Sequence, residues 1–214
     1  LIQNIKDKDC EVITVSPPPS EVYSDIFKKK KIINIPISIV RSKINPLGDL
    51  IYFIKLFKIF RKQSPDVILS YTIKPVIWSG VASKFCKTNF YALITGLGFA
   101  FQGNSFKRKL LTRLVVFLYR FALRNSKAVI FQNKDNLNLF VDKGIVPISK
   151  TYLVNGSGVD IEKFNVEAFP KGSINFLCLS RLLTEKGLRE YAAAAKIIKN
   201  KFPNVTFNLV GDVD

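Results

Sequence analysis

The sequence predicts an α/β fold: a doubly wound domain on a parallel sheet, followed by the opening of a second unit. Three observations predict it. Short β-branched runs alternate with longer helical ones from residue 11 to residue 154. The strand runs are short and apolar, the pattern of parallel sheets covered on both faces. A turn-rich stretch then intervenes, and strand–helix–strand alternation starts afresh at residue 174.

The elements follow in order. Leu1 to Lys6 reads as the end of a helix, and Glu11–Val15 as a strand stopped by Pro17-Pro18-Pro19. Lys31–Ile35 is a second strand, Leu47–Arg61 a helix, and Asp66–Ser70 a strand entered through Ser64-Pro65. A short helix, Val76–Phe85, leads to the buried strand Phe90–Ile94, and Phe106–Arg124 is a long helix. Ala128–Phe131 is a strand, Asn136–Lys143 a helix closed by Gly144, and Tyr152–Val154 a brief strand. Asn155 to Asp160 and Pro170 to Ser173 read as a linker. Strand Ile174–Leu179, helix Glu185–Lys199 and strand Val205–Val210 open the second unit. The expected domains are 1–168 and 169–214. A lone βαβ start cannot bury both faces of its strands, so the second domain reads as truncated, and the first as lacking its opening strand.

Composition sets the chemical class. The 33 Lys and Arg against 16 Asp and Glu give a net charge of +17. Such a field attracts nucleic acid, acidic headgroups or phosphorylated substrates. Genome bias also enriches Lys, Ile and Asn, but it does not remove the field. The chain has no His, which excludes His catalysis and His metal ligation within it. Cys10, Cys86 and Cys178 are far apart and odd in number, with no metal-ligand spacing, as in a reducing compartment. No apolar run reaches the ~18 residues of a membrane span, and no signal peptide is evident. The lack of any Met fits a fragment or a processed N-terminus.

Ligands of parallel sheets sit at the carboxyl ends of the strands. The sharpest candidate there is Ser180-Arg181-Leu182-Leu183-Thr184-Glu185-Lys186-Gly187, between a strand and a helix N-terminus. Free N–H groups at that terminus favour an anion, Arg181 offers a planar fork, Lys186 a compact charge, and Gly187 a close backbone approach. Together they suit a diphosphate; alone, Arg181 and Lys186 could be surface cations. Thr95-Gly96-Leu97-Gly98 follows another strand, where it permits close approach of a ligand or serves as a plain tight turn. With Phe101 in the last position it is no dinucleotide fingerprint. Ser70, Thr72 and Lys74, after a third strand, could contact a sugar or phosphate, or form a solvated loop. Two helices mix apolar and cationic residues. Leu50, Ile51, Phe53, Ile54, Phe57 and Phe60 lie among Lys55, Lys58, Arg61 and Lys62. Leu110, Leu111, Leu114, Val115, Phe117, Leu118 and Phe121 lie among Lys107, Arg108, Lys109, Arg113, Arg120 and Arg124. Both helices suit an anionic membrane surface as well as a sheet.

These segments in this order resemble the family 4 glycosyltransferases, retaining enzymes of the GT-B fold with two Rossmann-like domains. The resemblance is to those building capsule, O-antigen or lipid-linked oligosaccharide in bacteria. It rests on Tyr71 to Pro75, Ile94 to Phe101, Asn155 to Asp160 with Phe164, and Ser180 to Leu183 with Lys186-Gly187 and Glu190-Tyr191-Ala192. The resemblance implies a hexosyl- or N-acetylhexosaminyl-transferase, with a nucleotide-sugar donor, usually UDP-linked, whose diphosphate meets Arg181 and Lys186. The acceptor, a polyprenyl-diphosphate-linked sugar or a glycan, would pass Thr72, Lys74 and the Gly96–Gly98 loop, and Ser70, Thr95, Asn155 and Ser157 are further expected substrate-binding residues. No metal or cofactor is implied, and the place is the inner face of the cell membrane. Many relatives carry a His near the acceptor loop where this chain has Ile73. The family's opening Gly-rich loop would precede Leu1 and its Glu-x7-Glu motif would follow Asp214, so residues 1–214 alone are expected to be inactive. The competing readings are a non-enzymatic membrane-surface remnant of such an enzyme and a basic nucleic-acid-binding protein. The second lacks any reading helix, zinc site or exposed stacking aromatics.

Overall fold

The computed structural model describes residues 5, 10–40, 45–97, 101, 106–168, 170–183 and 186–212. Gly98, Phe99, Ala100, Thr184, Glu185 and most of the Leu1–Lys6 helix end lie outside the described residues. The chain divides into two compact units, Leu1–Val159 and Asp160–Asp214; the division expected between residues 168 and 169 lies inside the second.

The first unit runs β1 (Ile13–Ser16), α1 (Glu21–Lys29), β2 (Ile33–Pro36), α2 (Pro46–Gln63), β3 (Val67–Tyr71), α3 (Ile73–Cys86), β4 (Asn89–Ile94), α4 (Phe106–Leu123), β5 (Ala128–Phe131), α5 (Lys134–Asp142) and β6 (Thr151–Leu153). Local chemistry sets the helix ends. Asn45 caps α2 by accepting from Gly48 N at 3.0 Å, with Pro at the first turn, where no N–H is needed. Asn133 does the same for α5 through Asn136 N at 2.8 Å. Helix α1, absent from the sequence-based expectation, has Glu21 in its first turn and Lys28 and Lys29 in its last, which suits the helix dipole. Helix α3 starts three residues before the expected Val76, because Pro75 fits a first helical turn.

Every strand pair is parallel. Among the described residues, however, the first unit holds two sheets: β1-β2, and β3-β4-β5-β6 in that order. The register aligns Ile68 with Phe90, Ser70 with Ala92, Ala92 with Val129, and Ile94 with Phe131, all buried on one face. Helix α3 packs on β3 and β4, with α2 and α4 against its flanks. Phe140 of α5 closes the far end, its ring 5.0 Å from Tyr119 and 5.2 Å from Phe131. The opposite face is open: Val67, Leu69, Tyr71 and Tyr152 are exposed. Among the described residues, cover on both faces is thus not realised in this sheet.

The second unit holds β7 (Asn175–Leu179), α6 (Leu188–Lys201) and β8 (Thr206–Val210), with β7 and β8 paired in parallel. Tyr191 fastens the helix to both strands. Its ring meets Phe207 edge-on at 5.7 Å, and its hydroxyl lies 2.9 Å from the carbonyl oxygens of Phe176 and Asn208, to either of which it donates.

Candidate substrate-binding loops

Parallel strands bring their carboxyl ends to one edge, so the loops after β3, β4, β5 and β6 stand in a row. At the first, Ser70 is buried on the covered face while Thr72 is exposed. Thr72 holds φ 68° and ψ 158°, a conformation essentially reserved for Gly, at the entry to α3. That strain at a strand end is a mark of a functional loop that the sequence does not display. Lys74 donates to Asp49 Oδ1 at 2.8 Å, and both side chains keep only 16% of their exposure. A Lys in the first turn of α3 opposes the helix dipole, and Asp49, in the first turn of α2, offsets it.

After β4, Thr95 is exposed and Gly96 half-buried. A Cβ on Gly96 would meet nothing within 4 Å, so the space over this backbone is open to a ligand. After β5, Gln132 donates from Nε2 to Ser157 Oγ at 3.0 Å. Gln132 was not singled out from sequence; its place directly after an apolar strand is the signal that marks it. Asn155 and Ser157 are exposed, and Val154 N donates to Phe131 O at 2.8 Å, extending the β5–β6 ladder to the loop. Thr72, Lys74 and Ser70 line a cleft of about 350 Å³ bounded also by β1 and α2. The described loops therefore present hydroxyls, amides and open backbone, beside Lys74, which is committed to an ion pair, and Lys134, exposed at the first position of α5. That chemistry suits a polyhydroxylated ligand.

In the second unit, Arg181 is held by its backbone neighbours. Ser180 N donates to Val210 O at 3.0 Å and Leu182 N to Asp212 O at 2.9 Å, so the β7–β8 ladder continues through the loop. Gly211 makes that possible, because a Cβ there would collide with the Ser180 carbonyl oxygen. Sequence reasoning missed Gly211; nothing in one sequence distinguishes a close approach from a turn. Gly187 caps α6 at φ 76°, and Lys186 precedes it; the Arg181 and Lys186 side chains are both exposed. An exposed guanidinium, an exposed ammonium and a helix N-terminus at one strand end can hold a diphosphate. Asp160 is used locally: its Oδ1 accepts from Glu162 N and its carbonyl from Phe164 N.

The two cationic helices differ from expectation in detail. In α2, Phe60 is buried, and Phe53 and Phe57 pack on one another and on Phe85. In α4, Arg120 donates to the carbonyls of Lys143 and Gly144, closing α5. Phe106, Leu110, Leu114, Phe117 and Phe121 remain exposed as one stripe along α4. No helix among the described residues is long and apolar enough to cross a membrane.

The family profile described as "Glycosyl transferase 4-like" matches residues 1–133. The chain is 26% identical over its whole length to the N,N'-diacetylbacillosaminyl-diphospho-undecaprenol alpha-1,3-N-acetylgalactosaminyltransferase of Campylobacter jejuni, covering 59% of that protein. It is 26% identical over 79% of its length to the UDP-Gal:alpha-D-GlcNAc-diphosphoundecaprenol alpha-1,3-galactosyltransferase of Escherichia coli, covering 46% of it. The chain thus spans about half the length of these curated relatives. In fold it is similar to Anabaena HepE in complex with UDP and glucose, with TM-score 0.68 and 18% identity over 94% of this chain and 54% of that one.

Proposed function

Because the chain belongs to the glycosyl transferase 4-like family, we propose that the whole protein moves a hexose or N-acetylhexosamine from a UDP-linked donor to a polyprenyl-diphosphate-linked acceptor in cell-surface glycan synthesis. The observation that carries this reading is the shared acceptor class: both curated relatives are named for a diphospho-undecaprenol-linked substrate. In this reading the donor diphosphate rests on the loop after β7. As the sugar leaves, charge accumulates on the terminal phosphate oxygens. The Arg181 fork, Lys186 and the N–H groups opening α6 stabilise it there more than in the bound donor. The acceptor sugar lies along the loops of the first unit, where Thr72, Thr95, Gln132, Asn155 and Ser157 supply neutral hydrogen bonds over open backbone at Gly96.

The acceptor's lipid tail calls for a membrane surface, and the α4 stripe supports one on the cytoplasmic face. Lys107, Arg108 and Lys109 occupy its first turn, with no acid there. Cations at a helix N-terminus each cost about 0.3–1 kcal/mol against the dipole. Anionic headgroups under the stripe would offset that cost while Phe106, Leu110 and Phe117 enter the interface.

The test uses the full-length protein with a UDP-sugar and a short-chain polyprenyl-diphosphate acceptor. Arg181→Ala should lower kcat about 100- to 1000-fold, the scale of losing one charge-stabilising donor, with its unfolding midpoint unchanged. Wild-type turnover by that variant would overturn the donor assignment. Co-sedimentation with phosphatidylglycerol vesicles should be lost when Lys107 and Lys109 become Glu; retained binding would remove α4 from the membrane face.

A further inference from the structure

We propose that the cleft between α4 and the end of α5 holds the diphosphate of a lipid-linked ligand whose chain lies along the exposed stripe of α4. The cleft has a volume of about 480 Å³. Lys109, Arg113, buried Val116 and Arg120 line it from α4, and Asp142 and Lys143 from the end of α5. The α4 residues recur at spacings of four, three and four, so they share one face of the helix over about 16 Å. Arg120 shapes the cleft: its guanidinium donates to the carbonyls of Lys143 and Gly144. Lys109 and Arg113 are exposed and Lys143 is half-buried, and among the described residues none of the three is in an ion pair. A diphosphate diester brings a negative charge on each phosphate and a row of acceptor oxygens to these cations, and Arg113 meets it with a planar fork. A headgroup with a single negative charge leaves most of them uncompensated.

The apolar part of the ligand follows from the neighbouring face. Each cleft residue of α4 is followed in sequence by a stripe residue: Leu110 after Lys109, Leu114 after Arg113, Phe117 after Val116 and Phe121 after Arg120, all four exposed. One residue turns a helix by about 100°, so the cleft and the stripe are adjoining faces. A free anion would use the cleft alone; the stripe beside it selects an anion that carries a chain. Helix α4 follows β4 and returns to a parallel β5, so its amino end, with Lys109, lies at the sheet edge that carries the loops after β3, β4, β5 and β6. With the acceptor proposed above, on which this site rests for its lipid, the sugar can face those loops, the diphosphate sits in the cleft and the chain follows the stripe.

Equilibrium binding to the full-length protein, with no donor present, tests it. The probe is monomeric geranyl diphosphate; inorganic pyrophosphate and monomeric dihexanoyl phosphatidylglycerol are the comparisons. Geranyl diphosphate should bind about tenfold or more tightly than either. Arg113→Gln with Lys143→Gln should weaken it about tenfold or more, the scale of losing charged hydrogen bonds. Lys28→Gln with Lys29→Gln removes the same charge from α1, outside the cleft, and should change nothing, as should Arg181→Ala. Equal loss in the Lys28 and Lys29 variant would reduce the effect to net charge, and loss in Arg181→Ala would place the ligand on the donor loop. Equal or tighter binding of pyrophosphate or phosphatidylglycerol to the wild-type protein would remove the lipid diphosphate. Each of these results overturns the site. Because turnover is not read, a protein that binds as expected but transfers no sugar would refute the transferase reading and leave the cleft assignment standing.

Discussion

Replacing Lys74 by Met should destabilise the first unit with no ligand present. The Lys74 ammonium lies 2.8 Å from Asp49 Oδ1, with 16% exposure left on each side chain. Fully exposed ion pairs contribute about 0.2–1 kcal/mol, and hydrogen bonds to charged groups about 1.5–3 kcal/mol. A mostly covered pair at the rim of a cleft falls between, giving a coupling of about 1–2 kcal/mol. Part of the single-mutant cost belongs elsewhere: Asp49 also faces the N-terminal dipole of α2, worth about 0.3–1 kcal/mol. A double-mutant cycle of Lys74→Met and Asp49→Asn cancels that part. The chain has a single Trp. Trp78 lies in α3, one turn beyond Lys74, with its ring 6.0 Å from Phe53. Urea unfolding followed by its fluorescence therefore reports the first unit alone. A coupling below about 0.3 kcal/mol, the error of such cycles, would refute the structural role and return Lys74 to the ligand.

Three further outcomes follow from the packing. Phe140→Ala should cost the first unit about 3–5 kcal/mol in the same fluorescence assay, since Phe140 is fully buried against Tyr119 and Phe131; a loss under 1 kcal/mol would deny its place in the core. Gly211→Ala should speed amide exchange at Ser180 and Leu182, whose ladder bonds need the close approach at residue 211, whereas Gly96→Ala should leave stability within about 0.5 kcal/mol and reduce turnover of the full-length enzyme. Burial pushes the Cys86 thiol up, so alkylation at pH 8 should label exposed Cys10 well before Cys86; the reverse order would contradict both placements.

Much of the first unit was legible because strand and helix periods differ and its strands are short apolar runs bounded by Pro, Gly or Asn. Helix α1 was missed although Val22, Tyr23, Ile26 and Phe27 recur at helical spacing, since it is only nine residues long and follows closely on Pro17-Pro18-Pro19. The start of α3 was missed because Pro75 reads as a stop, although in a first turn it removes an N–H that has no partner anyway. The sequence reading expected the first domain to lack an opening strand, but not that its sheet would part between β1 and β3. A sequence shows which segments are strands but not which edges stay unpaired.

The site divides along the same line. That strand ends carry the candidate residues follows from parallel topology, which the sequence displays. What each residue is committed to does not, because the partners are distant: Asp49 for Lys74, Ser157 for Gln132, the α5 carbonyls for Arg120. The net charge of +17 shows the consequence. At the carboxyl end of α4, Lys84 donates to Phe121 O and Lys150 Nζ to Arg124 O at 3.1 Å. These cations satisfy carbonyls that a helix end leaves without intrahelical partners, so the fold accounts for them. At the other end of α4, Lys107, Arg108 and Lys109 sit in a first turn that itself holds no acid, where the dipole is already positive. Local stability argues against cations there. On this helix the exposed apolar stripe beside those cations supports the proposed anionic surface as their partner.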